Sequence, residues 1–327
     1  MRAFITGSGT QLPERTVPNE ELSSWLGLEP AQILKSCGIR ERRWVEPGTT
    51  TSALASAALR IAADRAAGQV SDLDYVLFGT MTPDRLVPGS ASAVQNSLGL
   101  REIPCIDIRA ACCNTLYGLQ LSRALVCSGV ARTVGLCLAE VQSPFLDLSP
   151  AAGTTSMLFG DGAAALIISA DPRLGALEII DVLIGTDGKY VDDLGIRCPG
   201  SEFGRNSEIQ NFAPRMVGQS VILQASRKMI AASQTLLERN GLGVSDVSWV
   251  VPHQANANLL AQVARGLGIE MSKVVSVLER TGNTSSASMG LALDHLLCSG
   301  HVKDGDYLLM PAFAAGFTWG AALCRAV

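Results

Sequence analysis

The chain has 327 residues, and charged residues make up 17% of it, against roughly 25% in an average globular domain. Hydrophobic residues reach 47%, which is too much apolar material for a disordered chain. The 26 basic and 30 acidic residues give a net charge of -4, which argues against nucleic acid as the main partner. Low charge and high apolar content instead favour a large buried core, an oligomer interface, or both.

Membrane, secretory and metal-binding classes are also disfavoured. The longest apolar stretches, such as residues 163–168, are far shorter than the ~20 residues that a membrane-spanning helix needs. Gly, Pro and charged residues interrupt residues 1–22 too early for a signal peptide. The 9 cysteines are an odd number, form no CxxC motif, and have no histidine at ligand spacing. Neither a disulfide framework nor a zinc site is therefore indicated, and we expect a reduced, cytoplasmic chain.

The predicted elements alternate between helices and short apolar strands. Long apolar helices are predicted over residues 52–67 and 221–239. The predicted strands are, in chain order, 75–78, 105–108, 134–138, 249–251, 274–277 and 307–310. Helices lie between these strands as well. Near-continuously apolar strands that alternate with longer helices are typical of a mixed α/β protein whose sheets are covered on both faces.

The two halves of this series repeat one another. Val70–Val76 (VSDLDYV) recurs as Val244–Val250 (VSDVSWV), at an offset of 244 − 70 = 174. Two shorter matches, the Leu-Gly-Leu and Ser-Gly motifs, recur in the same order at nearly the same offset. The repeat predicts two similar halves that meet near residues 170–175. The alternative is one doubly wound domain with accidental similarity.

In the first half, a cysteine stands where a strand passes into a helix. Cys112 lies just after the strand at 105–108, and the small residues before it allow the chain to turn sharply. A thiol at a helix N-terminus meets the positive end of the helix dipole, which lowers the thiol pKa and favours the nucleophilic thiolate. The alternative is that Cys112 and Cys113 are buried packing residues, as cysteines often are.

The second half supplies two possible partners for a nucleophile. His253 follows the strand at 249–251, and Asn283 lies at the corner that corresponds to the one carrying Cys112. Cys112 and Asn283 lie at similar distances after the repeated Leu-Gly motifs (112 − 99 = 13 and 283 − 268 = 15), so we expect both corners to face one cleft between the halves. A cysteine, a histidine and an asparagine at strand ends of a duplicated fold indicate an active site.

The other histidines and the glycine-rich segments have simpler interpretations. His295 lies within a predicted helix and His301 just past it, so we expect both to be solvated or packing residues. Residues 158–165 (LFGDGAAA) lack the order of a phosphate-binding loop and predict a turn that leads into a buried strand. The small-residue loop at 311–320 can bring backbone N–H groups close to a reacting carbonyl, as an oxyanion hole requires.

Taken together, the motifs are similar to those of the β-ketoacyl-ACP synthase III family of the thiolase superfamily, and the similarity extends over the whole chain. The matching segments, in chain order, are GSGTQLPERTVPNEEL, CGIRERRW, DIRAAC, FGDGAAA, VPHQANANL, RTGNTSSAS and AGFTWGAAL. The resemblance implies an α/β protein with the duplicated five-layered αβαβα thiolase fold. Residues 1–172 would form the half that carries the cysteine, and residues 173–327 the half that carries the histidine and the asparagine. It also implies a homodimer that uses acyl carrier protein or coenzyme A thioesters and no metal or other cofactor.

The resemblance also implies the role of each site residue. Cys112 is the nucleophile that accepts the acyl group, and His253 and Asn283 assist the decarboxylative Claisen condensation of that group with a malonyl thioester. The backbone N–H groups of Cys112 and Ala315 form the oxyanion hole. Cys113 matches a position that is usually a small, non-catalytic residue.

Several positions depart from the family pattern. Family members carry a Trp and an Arg that clamp the adenine of coenzyme A, a further Arg before FGDG, and an Arg linked to carrier-protein docking; here these positions are Gln32, Ser36, Ala152 and Asn258. The Phe that often closes the acyl pocket aligns with Val87, which leaves room for a longer or bulkier acyl group. Two glycines of the terminal loop are Ala314 and Ala315. These departures disfavour chain initiation from acetyl-coenzyme A. The segments 107–109 (DIR) and 117–120 (YGLQ), on either side of the nucleophile, resemble those of specialised members that act in secondary metabolism.

Two other functions remain open at this point. An acyltransferase of the same fold could pass its acyl group from the cysteine to an oxygen or nitrogen nucleophile. A non-catalytic subunit could instead support a related active chain. Retention of Asn283 favours condensation, because simple transfer does not need enolate stabilisation, and the presence of all three reactive residues disfavours the non-catalytic subunit.

Overall fold

The computed structural model describes residues 1–172, 175–198, 200–202 and 212–327. The helices are α1 (Asn19–Leu26), α2 (Pro30–Cys37), α3 (Thr51–Arg65), α4 (Ser90–Ser97), α5 (Asn114–Cys127), α6 (Gly153–Ser156), α7 (Gly218–Arg239), α8 (Ala257–Leu267), α9 (Leu278–Thr281) and α10 (Ser288–Cys298). The strands are β1 (Phe4–Gln11), β2 (Thr16–Pro18), β3 (Glu41–Arg43), β4 (Tyr75–Gly79), β5 (Cys105–Ile108), β6 (Thr133–Glu140), β7 (Gly162–Ser169), β8 (Leu177–Thr186), β9 (Leu194–Gly195), β10 (Arg215–Met216), β11 (Val247–Val250), β12 (Tyr307–Ala314) and β13 (Thr318–Ala326). None of these helices combines the length and apolar character needed to cross a bilayer, as far as the described residues extend.

Nine strands form one sheet in the order β11-β12-β13-β8-β1-β7-β6-β4-β5. In the part formed by β4, β6, β7 and β1, one parallel pair is followed by two antiparallel pairs. The part formed by β11, β12, β13 and β8 has the same arrangement. Within the described part of the chain, β1 and β8 join the two parts of the sheet through two paired positions, Phe4–Glu178 and Ile5–Leu177. The equal strand order agrees with the sequence repeat, whereas the division between residues 172 and 173 stays a prediction, and residues 173–174 lie outside the described residues.

Helices α5 and α10 lie between the two parts of the sheet. Helix α5 contacts β4 and β6 on one side and β8 and β13 on the other, and α10 packs on β1 and β7. One cluster of buried apolar side chains joins these helices to both parts of the sheet; it includes Leu77, Leu116, Leu136, Met289, Leu308 and Ala322. Helices α3 and α4 cover the outer face of the first part, and α7 and α8 cover that of the second. The layers therefore follow the order αβαβα of the thiolase fold, as predicted.

The predicted strand at 274–277 is the one element that forms only in part. A single parallel bridge, Val250–Val274, connects it to β11. The side chain of buried Gln254 occupies the backbone groups that follow: its Nε2 donates to the carbonyl of Val275 at 3.1 Å, and its Oε1 accepts from the N–H of Val277 at 3.0 Å. Because a side chain takes these hydrogen bonds, no longer ladder develops, and the prediction of a regular strand was wrong.

Candidate active site

The structure places Cys112 in a tight turn between β5 and α5. Residues Ala111–Cys113 form one 3-10 turn, and Ala111 has a φ of 49°, in the left-handed region that few side chains adopt. The side chain of Asn114 holds this turn, since its Oδ1 accepts from the N–H of Ala110 at 2.7 Å. The Cys112 Sγ lies 3.4 Å from the hydroxyl oxygen of Ser285, in the second half of the chain. The nucleophile candidate thus sits where the two halves meet.

The thiol of Cys112 is less acidic than the sequence led us to expect. Burial raises its pKa to about 11, with a smaller upward contribution from the Glu140 carboxylate, and the hydrogen bond with Ser285 partly opposes this. The expected net lowering of the thiol pKa at the helix N-terminus was therefore wrong, because burial dominates. At neutral pH Cys112 is a thiol, and its proton must leave during the reaction.

Asn283 is held so that its amide nitrogen remains available. Its backbone N–H donates to the carbonyl of Leu158 at 2.8 Å, which ties it to the loop before β7. Its side-chain Oδ1 accepts from the N–H of Ser285 at 2.9 Å. This bond fixes the orientation of the amide, because only the oxygen can accept from an N–H group. The amide nitrogen Nδ2 makes no hydrogen bond among the described residues and can donate to a ligand.

His253 is neutral, and its position also leaves one nitrogen available. Burial lowers its pKa to about 4. Its Nδ1 lies 2.6 Å from the hydroxyl of Ser288, which also accepts from the N–H of Gln254 at 3.3 Å. The Ser288 hydroxyl can donate its hydrogen to Nδ1, which must then be the unprotonated ring nitrogen. We therefore assign the ring proton to Nε2. This N–H makes no hydrogen bond within the described part of the chain.

One short segment, residues 283–288, therefore connects the three predicted catalytic residues. Cys112 contacts it at Ser285, Asn283 belongs to it, and His253 contacts it at Ser288. The second oxyanion candidate, Ala315, lies in the turn between β12 and β13 and packs, like Cys112, against the central apolar cluster. The strand β12 also contacts the turn that carries Cys112. These contacts connect a thiol and two neutral N–H donors to one short segment of the chain.

The residue correspondence between the halves differs from the one that the Leu-Gly motifs suggested. The turn Ser285–Ala287 has the form of the turn Ala111–Cys113, and Ser285 has a φ of 46°. The offset between these turns (285 − 111 = 174) equals that of the main repeat, so Cys112 corresponds to Ser286. Asn283 lies at the same corner, but three residues ahead of the position that matches the nucleophile.

Other predicted positions lie away from these contacts. Val87 is 83% exposed, and none of the apolar clusters among the described residues contains it, so its place in an acyl pocket stays a prediction. Gln32 closes the first turn of α2, where its Oε1 accepts from the N–H of Glu29 at 3.1 Å. The carbonyl of Ser36 accepts from the Nδ2 of Asn258 at 3.0 Å, which ties α2 to α8. Ala152 ends a 3-10 turn after β6.

The secondary predictions agree with the structure. His295 is exposed on α10, and His301 stacks on Trp249 with ring centroids 6.2 Å apart. The segment at 158–165 is a turn that leads into the buried strand β7. Sequence reasoning missed Ser285, Ser288 and Glu140, although the offset of the main repeat already places Ser288 in correspondence with Asn114.

Comparisons with known proteins show similarity over nearly the whole chain. Sequence profiles match for 3-oxoacyl-[acyl-carrier-protein (ACP)] synthase III over residues 106–188 and for its C-terminal region over residues 237–326. The beta-ketoacyl-[acyl-carrier-protein] synthase III of Chlamydia caviae is 35% identical over 100% of this chain and 97% of its own length. The crystal structure of 3-oxoacyl-(acyl carrier protein) synthase III from Pseudomonas aeruginosa PAO1 has a TM-score of 0.92 at 32% identity, and the match covers 99% of this chain and 98% of that one.

A third similar protein comes from a biosynthetic pathway. The priming beta-ketosynthase from the R1128 polyketide biosynthetic pathway has a TM-score of 0.91 at 33% identity, over 99% of this chain and 96% of that one. The fold and these similarities define an acyl-transferring condensing enzyme with the thiolase fold. The chain belongs to the 3-oxoacyl-[acyl-carrier-protein] synthase III family.

Proposed function

We propose that Cys112 takes an acyl group from a thioester and that the enzyme then condenses this group with a malonyl thioester, with loss of CO₂. One observation carries the proposal. His253 Nε2 and Asn283 Nδ2 are both neutral N–H donors without a partner among the described residues, and each is fixed by a hydrogen bond at the other end of its side chain. Two such donors suit the oxygen of an enolate, which gains negative charge during the reaction.

The loading step is an exchange of thioesters. The Cys112 sulfur attacks the carbonyl carbon of the incoming acyl thioester, and the oxyanion formed accepts hydrogen bonds from the backbone N–H groups of Cys112 and Ala315. The bond between the acyl carbon and the carrier sulfur then breaks. The proton of the Cys112 thiol passes to the departing carrier thiolate, so the step releases no net proton. Ser285, in contact with Sγ, is the polar neighbour along that path.

The condensation step uses the two free donors. The malonyl thioester binds with its carbonyl oxygen at His253 Nε2 and Asn283 Nδ2. When the bond to its carboxylate breaks, CO₂ leaves and the electron pair remains on the enolate that these donors stabilise. The methylene carbon attacks the acyl carbon on Cys112, the bond to Sγ breaks, and the Cys112 thiolate takes one proton from water. This chemistry needs neither a metal nor a redox cofactor.

The donor and its carrier are part of the proposal. Val87 stands where a larger side chain often closes the acyl pocket, which supports an acyl group longer or bulkier than acetyl, of the kind used in secondary metabolism. Acyl carrier protein, coenzyme A, or both would carry the thioesters. We also propose a cytoplasmic location, which the 9 free cysteines support, because thiols persist in reducing compartments.

A homodimer fits the exposed edge of the sheet. Strand β5 ends the sheet next to the nucleophile turn, and its Ile106 is 47% exposed, while Leu86, in the loop before α4, is 66% exposed. A sheet edge with exposed apolar side chains is a site for pairing with another chain. Ile106→Glu should shift the protein toward monomer in sedimentation velocity. Met271→Glu, at a residue that is 48% exposed elsewhere, is the matched control and should not.

Intact-mass spectrometry tests the condensation proposal. The protein is exposed to a panel of acyl-coenzyme A and acyl-carrier thioesters, and one acyl group per chain is expected on Cys112. Cys112→Ser should not gain it, whereas Cys298→Ser, at an exposed cysteine, should gain it as the wild type does. Malonyl thioester should then release CO₂ and extend the acyl chain. Acyl loading followed only by transfer to an oxygen or nitrogen acceptor would contradict condensation.

A further inference from the structure

A buried carboxylate lies behind the nucleophile, and the proposed reaction does not use it. Glu140 ends β6, is 0% exposed, and forms no ion pair with any described residue. Its Oε2 accepts from the hydroxyl of Thr82 at 2.7 Å and from that of Thr80 at 3.3 Å. Both oxygens accept from the N–H of Met81, at 3.0 and 3.1 Å. A buried carboxylate without a cation is costly: burial raises the pKa of Glu140, and the hydrogen bonds from Ser286, Thr82 and Met81 oppose this rise.

Glu140 also binds the other half of the chain. Its Oε1 accepts from the N–H of Ser286 at 3.4 Å and forms a short hydrogen bond with the hydroxyl of the same residue. Ser286 lies in the centre of the turn Ser285–Ala287. That turn sets the hydroxyl of Ser285 against Cys112 Sγ and uses the Ser285 N–H to orient the amide of Asn283. Glu140 therefore fixes a turn on which two site residues depend.

From Ser286 the network continues to the nucleophile turn. The Nδ2 of Asn114 donates to the Ser286 hydroxyl oxygen at 2.8 Å, and its Oδ1 accepts from the N–H of Ala110 at 2.7 Å. The hydroxyl of Thr115 donates to the Ser286 carbonyl at 3.2 Å. The path from Glu140 through Ser286 and Asn114 thus reaches both sides of Cys112.

Both turns need such support because their backbones are strained. Ala111 and Ser285 have φ values of 49° and 46°, in the left-handed region that is unfavourable for residues with a side chain. Without external hydrogen bonds, either turn would relax and displace Cys112 or Asn283. We propose that Glu140 is a positioning residue that holds the nucleophile turn and the Asn283 turn in register through Ser286 and Asn114. The proposal rests on the proposed function, since it assigns Glu140 to support Cys112 as a nucleophile.

The charge of Glu140 provides a readout that a purely structural role would not change. It raises the pKa of Cys112. The elements packed against the nucleophile turn, Ala111–Cys113, are α5, β12, β13 and the turn Ser285–Ala287. They face it with uncharged residues. Among the described residues, the titratable groups that interact electrostatically with Cys112 are Glu140 and the buried thiol of Cys113. Removal of the Glu140 charge should therefore lower the pKa of Cys112 and increase the thiolate fraction at a given pH.

The experiment compares two variants that separate charge from shape. Glu140→Gln keeps the shape and removes the charge, and we expect iodoacetamide to alkylate Cys112 about three- to tenfold faster at a pH near 8. Glu140→Asp keeps the charge but is too short to reach Met81 and Ser286 together. We expect no faster alkylation there, and acyl loading about tenfold slower or more. Intact mass measures both rates, and circular dichroism establishes that each variant is folded.

Two further variants complete the experiment: one is a control, and the other tests the hydrogen-bond link independently of Glu140. Asp161→Asn removes a second buried carboxylate, which holds Val45, Gln142 and Ser143 rather than either turn, and should leave the alkylation rate of Cys112 unchanged. Ser286→Ala keeps the Glu140 charge and cuts the link, so it should slow loading without faster alkylation. The inference is wrong if Glu140→Gln reacts no faster than Asp161→Asn, or if Glu140→Asp and Ser286→Ala load at the wild-type rate. If the Glu140 variants do not fold, the rate of acyl loading of Ser286→Ala alone tests the inference. Alkylation does not depend on the acyl substrate, so a failure here would leave the condensation proposal intact.

Discussion

Two turns, at corresponding positions of the sequence repeat, lead into the central helices α5 and α10. Ala111–Cys113 precedes α5, and Ser285–Ala287 precedes α10. Both are single 3-10 turns, and both begin with a side-chain-bearing residue in the left-handed region, at a φ of 49° in one and 46° in the other. The backbone thus adopts the same uncommon conformation at corresponding positions in both halves of the chain.

The side chains on these turns have different partners. Cys112 and Ser286 occupy corresponding positions in the two turns. Cys112 contacts the hydroxyl of Ser285, whereas the hydroxyl of Ser286 donates to the carboxylate of Glu140. Two positions later, where each helix starts, Asn114 holds the backbone of its own turn, while Ser288 holds the ring of His253. The comparison shows that the turn alone does not define a reactive site. The groups around it decide which copy carries the nucleophile and which copy orients its partners.

The strongest test of this comparison exchanges the two side chains. Cys112→Ser should lose acyl loading by about 10³-fold or more, because a serine hydroxyl without a base is a poor nucleophile. Adding Ser286→Cys to Cys112→Ser returns a thiol to the same backbone position in the other half. We expect no recovery, because that thiol would lie against Glu140, which opposes its ionisation. Loading is measured by intact mass with the acyl thioester that the wild type accepts, and recovery in the double variant would show that backbone position is sufficient.

Asn283 tests whether the second turn serves condensation rather than loading. Asn283→Asp loses the Nδ2 donor and introduces a negative charge, so we expect condensation to slow by about 10²- to 10³-fold. Loading of Cys112 should change much less, because the oxyanion there is held by backbone N–H groups. Release of CO₂ from malonyl thioester and the rate of acyl loading are followed on the same protein. Equal losses in both steps would mean that Asn283 acts on the structure of the turn as a whole.

Burial of His253 beside the second turn should appear in the pH dependence of stability. Its pKa is lowered from 6.5 to about 4 in the folded protein. Above pH 6.5 both states are neutral at this residue, and below it the unfolded chain gains a proton that the folded protein does not accept until about pH 4. His253 should therefore reduce the free energy of unfolding by about 2 kcal/mol between pH 7 and pH 5. Urea unfolding of wild type and His253→Gln at both pH values measures this, and an equal loss in the two proteins would contradict it.

Ser288 should affect condensation through His253. Ser288→Ala removes the hydroxyl that directs Nδ1, so the ring can place its proton on either nitrogen. We expect condensation to slow by about tenfold, as for loss of one orienting partner of a functional histidine. Ser288→Thr keeps the hydroxyl and should recover most of the rate. A rate for Ser288→Ala equal to that of wild type would show that burial alone fixes the ring.

Much of the fold was predictable because its signals are local or repeated. The strands at 75–78 and 105–108 are short apolar runs between helices, and the structure has β4 and β5 there. The repeat further predicted that a second set of strands would follow the same order. The strand at 274–277 failed because Gln254, which lies well before it in the chain, takes its backbone hydrogen bonds, and no local pattern reveals such a contact.

For the candidate site, too, the sequence indicated the residues but not their contacts with distant parts of the chain. Sequence patterns and the family motifs both indicate Cys112, His253 and Asn283. Cys112 and His253 follow the strands β5 and β11 as predicted, whereas Asn283 follows the short helix α9 and not a strand. The acidity of Cys112 was predicted with the wrong sign, because helix position is visible in the sequence whereas burial and the approach of Glu140 are not. Ser285 and Ser288 were missed because their partners, Cys112 and His253, lie far from them in the chain.

The smallest expected effect concerns the strained backbone that both turns share. Ala111→Gly relieves a φ of 49°, which glycine adopts freely, but it also increases the entropy of the unfolded chain. We expect a stability change of about 0 to +1 kcal/mol, measured by urea unfolding. Ala110→Gly is the matched control, because Ala110 has a φ of -122° and nothing to relieve, so it should lose about 0.5–1 kcal/mol. Equal losses in the two variants would mean that the left-handed residue is not strained in its surroundings. The shared shape of the two turns would then require no help from the network around Ser286.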